Sequence, residues 1–190
     1  MIVEKTKKEL IFIEAAKLFQ SKGYAATSMR ELATQVGLKP SSFYSHIKSK
    51  EEILEIICKR ASVLFSDGLE KIIGQNETPA RTIDQIIDLH IDIAFGNPSA
   101  ITVFNDEWKH LTGEALKSFR SKRKQYQDAV IEIIKSAIAS NEVKTLDATI
   151  IFNTIIGGTR WLHFINGPSE AMAKKIRKQL KDILLRGILY

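Results

Sequence analysis

Along almost the whole chain, apolar residues recur every third or fourth position, and helix start and stop signals cut that pattern at intervals. Side chains three and four apart share one face of an α-helix, whereas a half-buried strand requires strict alternation. No convincing alternating run occurs, so the sequence predicts an all-α protein. Ile11, Ala15, Leu18 and Phe19 line a first helix, which Gly23 ends. Thr27 or Ser28 caps a short second helix carrying Met29, Leu32, Ala33 and Val36. Gly37 breaks it, and Pro40 stands in the first turn of a third. Ser49-Lys-Glu-Glu52 reads as a capping box for a fourth helix reaching about Ile73. Thr78-Pro79 opens a fifth helix, and Asn97-Pro98 opens a sixth ending near Thr112-Gly113. A seventh covers about 114–140, an eighth roughly 146–166 and a ninth about 169–188. About nine helices result.

The third helix is unusual. In GLKPSSFYSHIKSKEEIL, residues 37–54, one side is small and hydroxylated while Phe43 and Ile47 supply an apolar anchor opposite, against Leu32 and Val36. A helix enters the DNA major groove only if short polar groups let its backbone approach the base edges. Ser41, Ser42 and Ser45 form such a face. Tyr44, His46, Lys48 and Lys50 surround it with groups suited to phosphates. Charge agrees: of a net +6, residues 1–50 hold nine Lys/Arg against four Asp/Glu, or +5. That gradient favours a polyanionic partner for the N-terminal part.

The motif closely resembles the TetR family of bacterial transcription regulators. Phe19, Gly23, Tyr24, Thr27, Leu32, Ala33, Gly37, Tyr44, His46 and Lys50 fall on the family pattern, within FQSKGYAATSMRELATQVGLKPSSFYSHIKSKEEIL, Phe19 to Leu54. Pro40 stands where a lysine is frequent, and Ser45 where a second aromatic is common. The resemblance implies phosphate contacts from Tyr44, His46, Lys50 and Thr27 or Ser28. It also implies contacts to bases or nearby backbone from Arg30, Lys39, Ser41, Ser42 and Ser45. Residues 1–50 would be the helix-turn-helix DNA-binding domain, and residues 51–190 a helical effector-binding and dimerisation domain. In the family the last two long helices pair with their copies in a second subunit, so residues 146–188, with Gly157-Gly158 at a close contact, are the expected interface.

The C-terminal part carries a fainter likeness. Glu107-Trp108 with Leu111, Arg123 with Tyr126, and Gly157 with Trp161-Leu162 are similar to TetR-type regulators of fatty-acid and steroid degradation, whose effectors are acyl-CoA thioesters. A small hydrophobic effector is accordingly expected, an acyl-CoA being the candidate. Phe104, Trp108 and Trp161 would wall its site, and Arg123 and Arg160 would meet an anionic group. Arg160, in a mostly apolar helix, is expected to need a partner such as Asp106 or Glu107.

Other functions find less support. Cys58 is the lone cysteine, which excludes an intrachain disulfide and suits a reducing, cytoplasmic setting. His90 and His163 lack metal-ligand spacing, and no nucleophile–base pair or phosphate-cradling glycine loop occurs, so neither an enzyme nor a cofactor is expected. Residues 148–165 are apolar but carry Asn153, Arg160 and His163, which favours a buried helix over a membrane span. The basic run Lys117 to Lys124 reads as a solvated helix face. The sequence therefore points to a homodimeric, operator-binding repressor released by a ligand, with an effector-free DNA-binding regulator as the alternative.

Overall fold

The computed structural model describes residues 6–165 and 167–189. Among them nine α-helices occur: α1 (Lys7–Lys22), α2 (Met29–Gln35), α3 (Pro40–His46), α4 (Lys50–Ile73), α5 (Pro79–Gly96), α6 (Pro98–Thr102), α7 (Gly113–Ala139), α8 (Ala148–Arg160) and α9 (Glu170–Arg186). No strand occurs among these residues, only an isolated bridge between Val143 and Leu189. The fold is all-α.

Local chemistry explains most of the boundaries. Thr6 caps α1 in a reciprocal box: its Oγ1 accepts from the Glu9 N–H at 3.2 Å, and the Thr6 N–H donates to the Glu9 carboxylate at 2.8 Å. Ser28 and Glu31 repeat the arrangement at α2. At α4 the box is displaced. Ser49 Oγ accepts from the Glu52 N–H, but the Glu52 carboxylate reaches back to the Lys48 N–H instead of Ser49. Asp147 caps α8 by accepting from both Thr149 and Ile150 N–H groups, and Ser169 caps α9.

The expected sixth helix does not hold to Gly113. α6 ends after Thr102, widens into a π-helical turn at Val103–Glu107, then tightens into a 3₁₀ turn at Trp108–His110. These turns bury Val103 and Leu111 in an aromatic core that also holds Phe119, and packing overrides the regular pitch. The eighth helix likewise stops early, at Arg160, and passes into a 3₁₀ turn at Trp161–Phe164. Among the described residues no helix is long and apolar enough to cross a membrane.

Two compact units emerge. The first comprises residues up to Ala61 together with Ser99–Phe119. Its core joins Phe19, Leu32, Phe43, Ile47, Ile53 and Leu54 with Val103, Leu111 and Phe119. Three short helices bury too little surface to stand alone, so this core extends past residue 50 into α4 and the 99–119 segment.

The second unit comprises Ser62–Pro98 and the residues from Arg120 onward. Here α5 packs against α8 and α9 through Ile83, Ile87, Ile91, Ile151, Ile155, Leu180 and Leu184. An ion ladder fixes the rotation of α9. Asp84, Asp88 and Asp92, one turn apart on α5, meet Lys181 and Arg177; Asp88 alone binds Arg177 at 2.7 Å and Lys181 at 2.6 Å. With that face turned inward, Met172 and Ile183 are left outside.

The two neighbouring glycines of α8 differ. A Cβ on Gly158 would lie 2.8 Å from Leu184 Cδ2 of α9, whereas a Cβ on Gly157 would meet nothing within 4 Å. The close packing within the chain belongs to Gly158. Gly158→Leu should therefore destabilise the protein by about 1–3 kcal/mol through overpacking. Gly157→Ala should be neutral or stabilising by up to about 1 kcal/mol through helix propensity. Urea denaturation of the two variants checks the contrast.

Candidate nucleic-acid interface

The reading face is built from its anchors outward. α2 buries Leu32 and Ala33. Gly37 then turns the chain at φ +67°, a left-handed conformation that other residues adopt at a cost, with its N–H on Thr34 O at 3.0 Å. The Leu38 N–H returns to Ala33 O, also at 3.0 Å. Pro40 occupies the first turn of α3, where its missing N–H costs nothing. Phe43 and Ile47 are fully buried. Ile47 lies at the extended C-cap of α3 rather than in the helix, yet still serves as an anchor. Burying each such side chain stabilises by about 1.5–3 kcal/mol, which holds a helix too short to persist alone.

With that face inside, the opposite one is open. Arg30, Lys39, Ser41, Ser42, Tyr44 and Ser45 are exposed, and His46 is half-buried. The Tyr44 ring packs edge-on against Phe43, which directs more than half of its surface to solvent. The Ser45 hydroxyl donates to Ser42 O at 2.7 Å. Ser28 is exposed too, but its hydroxyl is shared with the Glu31 carboxylate at 2.9 Å. That carboxylate is held at a pKa of about 2, chiefly by Lys22 and then by Ser28.

Two expected phosphate ligands are engaged inside the protein. Thr27 is buried, and its hydroxyl donates to Gly23 O at 2.9 Å. The Lys50 ammonium donates to Tyr24 O and Thr27 O, both at 2.8 Å, and to Ala25 O at 3.4 Å. It also lies 4.4 Å from the Tyr24 ring centroid. One cation at the start of α4 thus gathers the carbonyls of the turn leading into α2. Buried carbonyls require donors, and Lys50 adds to the Thr27 N–H that already reaches Tyr24 O at 3.2 Å. In this state Thr27 and Lys50 hold the motif rather than face a phosphate.

Tyr24 is the hub of that turn. Its ring meets Phe19 edge-on at 5.2 Å and stacks on His110 at 5.0 Å. Its hydroxyl donates to Glu51 at 3.2 Å. Burial and then the Glu51 charge push its pKa up to about 12. His110 in turn lies 3.3 Å from the Glu107 carboxylate. None of this was visible in residue spacing, because His110 and Glu107 are far from Tyr24 in sequence.

The expected effector residues do not form one cluster within either unit. Phe104 and Trp108 belong to the first unit, where both pack on Phe119, at 5.3 and 5.5 Å between centroids. Arg123, Arg160 and Trp161 belong to the second. Arg160 is exposed. Arg123 lies near it: partial withdrawal from water and the Arg160 charge together lower the Arg123 pKa. Trp161 is on the outer surface. Of the basic run, Lys117 and Lys124 pair with Glu114 and Asp128 along α7.

A polar pair in the second unit was passed over in the sequence. His90 Nε2 lies 2.8 Å from the Tyr126 hydroxyl, and Phe65 packs on both rings, at 4.8 and 5.9 Å. Burial lowers the His90 pKa to about 4 and raises that of Tyr126. The available signal was a histidine on the otherwise apolar face of α5. Cys58 is buried, with its thiol pushed up to about 12, which makes it inert. Among the described residues no group of three or more His, Cys, Asp or Glu side chains is placed to hold a metal ion.

Comparison with known proteins decides the family. The model for "Bacterial regulatory proteins, tetR family" matches residues 11–57, and the model for "Tetracyclin repressor-like, C-terminal domain" matches residues 76–188, more than half of the chain. The chain belongs to the TetR family. Its TetR-type fold is similar to the ketosteroid transcriptional regulator KstR2 of Mycobacterium tuberculosis, with TM-score 0.92, 18% identity and coverage of 98% of this chain and 97% of that one. It is also similar to AibR, solved in complex with isovaleryl coenzyme A and operator DNA, with TM-score 0.82, 21% identity and coverage of 94% and 97%. In sequence it is 21% identical to the HTH-type transcriptional repressor KstR2 of Mycolicibacterium smegmatis over 178 residues, 92% of this chain and 86% of the relative. This TetR-family chain is a DNA-binding transcription regulator and not an enzyme.

The turn and the polar pair generate separate expectations. Lys50→Met should lower stability by about 1.5–3 kcal/mol, the range for hydrogen bonds to a charged group, in the absence of DNA. A residue used only for phosphate would leave DNA-free unfolding in urea unchanged. For His90, the folded pKa of about 4 lies below the ordinary value of 6.5. Between these values the unfolded chain binds more protons, so stability falls as pH drops from 6.5 toward 4. His90→Leu should flatten the pH dependence of stability across that window relative to the unsubstituted protein.

Proposed function

We propose that the protein is a homodimeric transcriptional repressor of the cytoplasm that leaves its operator when a small hydrophobic effector, an acyl-CoA thioester, binds its C-terminal part. The observation that carries the DNA-binding half is the outward hydroxyl face of α3, set by burial of Phe43 and Ile47 behind it. In this reading Arg30, Lys39, Ser41, Ser42 and Ser45 approach base edges and the adjoining backbone. Ser28, Tyr44 and His46 bind phosphates, while Thr27 and Lys50 hold the turn that presents them. Phosphate contacts supply the salt-dependent affinity and base contacts the selectivity.

Dimerisation is supported by an exposed apolar stripe in the second unit. Ile150 and Phe164 are each 66% exposed and Ile183 70%, and Trp161 and Met172 are exposed too; Ile150, Gly157, Trp161 and Phe164 have the spacing of one helical face, as do Met172 and Ile183 on α9. Exposed apolar residues concentrated in this way favour an interaction site. A two-fold pair of reading heads matches a palindromic operator. Two guanidinium groups near each other, Arg123 and Arg160, suit the anionic end of an acyl-CoA. The solved complex of AibR with isovaleryl coenzyme A and operator DNA supports the same pairing of ligands here. Effector binding would lower operator affinity through a coupling free energy.

Selection of bound DNA fragments should yield a two-fold symmetric site. If each head neutralises four phosphates, log K against log salt should slope at about −7. Arg30→Ala should cost about 1–3 kcal/mol at that site and relax one base position per half-site. Sedimentation should give a dimer at micromolar concentration. Long-chain acyl-CoA should release the DNA while free CoA does not, and Arg160→Ala should impair release alone. Equal affinity for every sequence overturns the DNA-binding reading, and failure of every acyl-CoA to release DNA overturns the effector assignment.

A further inference from the structure

The partners of the Tyr24 ring come from two parts of the chain. Its edge meets Phe19, its hydroxyl donates to Glu51 and its face carries the Lys50 ammonium, all from residues around the helix-turn-helix. His110, which stacks on it at 5.0 Å between centroids, comes from the Ser99–Phe119 segment of the same unit. That segment is registered on α1 by Gln20. The Gln20 amide accepts from the Ser99 hydroxyl at 2.7 Å and donates to Thr102 Oγ1 at 3.1 Å. Glu107 continues the contact: its carboxylate lies 3.3 Å from His110 Nε2, and a Cβ on Gly23 would lie 3.7 Å from it. His110 is delivered to Tyr24 by a segment tied down along its length.

His110 also borders empty space. A cavity of about 300 Å³ in this unit is lined by His110, Glu51, Leu54 and Leu111 among others. The imidazole therefore touches both the Tyr24 ring and an open volume. A side chain beside a void has no contacts on that side, so whatever fills the gap is what holds it. With a small side chain at position 110 the cavity would reach Tyr24, which is otherwise buried. Glu51 lines the same cavity, so the tyrosine can turn toward it and keep its hydroxyl partner. What it gives up is the Lys50 ammonium.

We propose that His110 is a positioning residue of the DNA-reading head: it keeps the Tyr24 ring against the Lys50 ammonium, and so keeps that cation on the carbonyls of the turn instead of on phosphate. The assignment rests on the reading that Lys50 holds the turn, and it adds what keeps the ammonium there. Lys50 is half-buried and stands between two kinds of acceptor. Inside it has Tyr24 O and Thr27 O at 2.8 Å, Ala25 O at 3.4 Å and the ring centroid at 4.4 Å. Outside, a DNA phosphate offers a full negative charge and releases a counterion. Neutral carbonyls alone compete poorly with that. The ring face adds an attraction that strengthens as water is excluded, and His110 excludes water from Tyr24. His110 acts on the choice through the ring.

The test follows the Lys50 ammonium first and its effect on DNA second. In lysine side-chain ¹⁵Nζ spectra of the full-length, DNA-free protein, assigned with Lys50→Met, the Lys50 signal should exchange slowly with water. His110→Ala should speed that exchange fivefold or more. His110→Phe, which restores a stacked ring, should return it toward the unsubstituted rate. On random-sequence duplex, His110→Ala should steepen the slope of log K against log salt by about 0.9 per head, as Lys50 turns to phosphate. For two heads, a fourfold rise in salt then costs an extra factor of about twelve in affinity. Adding Lys50→Met to His110→Ala should remove the extra slope. Unchanged exchange, an unchanged slope, or an extra slope that survives Lys50→Met would overturn the assignment. Should His110→Ala fail to fold, His110→Gln takes its place with the same expectations. The two readings fail separately. If Lys50→Met leaves DNA-free stability unchanged, Lys50 does not hold the turn and both are removed. If stability falls but the His110 variants leave exchange and slope unmoved, the turn reading stands and the role of His110 is removed.

Discussion

Burial of Phe43 is the contact on which the reading head depends, because α3 has only seven residues and a helix of that length does not persist in water on its own. The exposed hydroxyl face of α3 sits opposite this anchor, so its loss would dissolve the face as well as the core. The same shortness explains why the head borrows structure. Phe43 is enclosed together with Ile53 and Leu54 of α4, Val103 of the π-helical turn, and Leu111 and Phe119. The DNA-binding unit is therefore assembled from residues on both sides of α5.

Electrostatics then fixes the turn that leads into the motif. Lys50 gathers three carbonyls and lies on the Tyr24 ring, and Tyr24 is bound in turn by Glu51 and His110. Basic residues in such a head fall into two kinds: those that satisfy the backbone and those that remain for phosphate. Lys50 is of the first kind in the state described, whereas Arg30 and Lys39 are exposed.

In the second unit, polarity is concentrated at two places with different consequences. The Asp84–Asp88–Asp92 ladder with Arg177 and Lys181 lies at the edge of the helix packing, where partial exposure limits what it adds to stability but still sets which face of α9 turns outward. The His90–Tyr126 pair lies within the apolar packing and is neutral, so it adds hydrogen bonding without charge. The ladder orients a surface; the pair gives a core a polar point.

How much was legible follows from the range of each interaction. Helix starts and stops at Ser28, Gly37, Pro40, Thr78 and Ser169 are local, set by cap chemistry within a few residues, and the sequence alone determined them. So did the small face of α3, since Phe43 and the serines alternate around one helix. The splitting of the sixth helix, the capture of Lys50 and Thr27 by the turn, and the separation of Trp108 from Trp161 into different units were decided only by tertiary structure. Each depends on which distant segments share a core, and side-chain periodicity carries no information about partners. For the same reason His90 read as an isolated histidine until Tyr126, 36 residues away, was brought within 2.8 Å by the packing of α5 and α7.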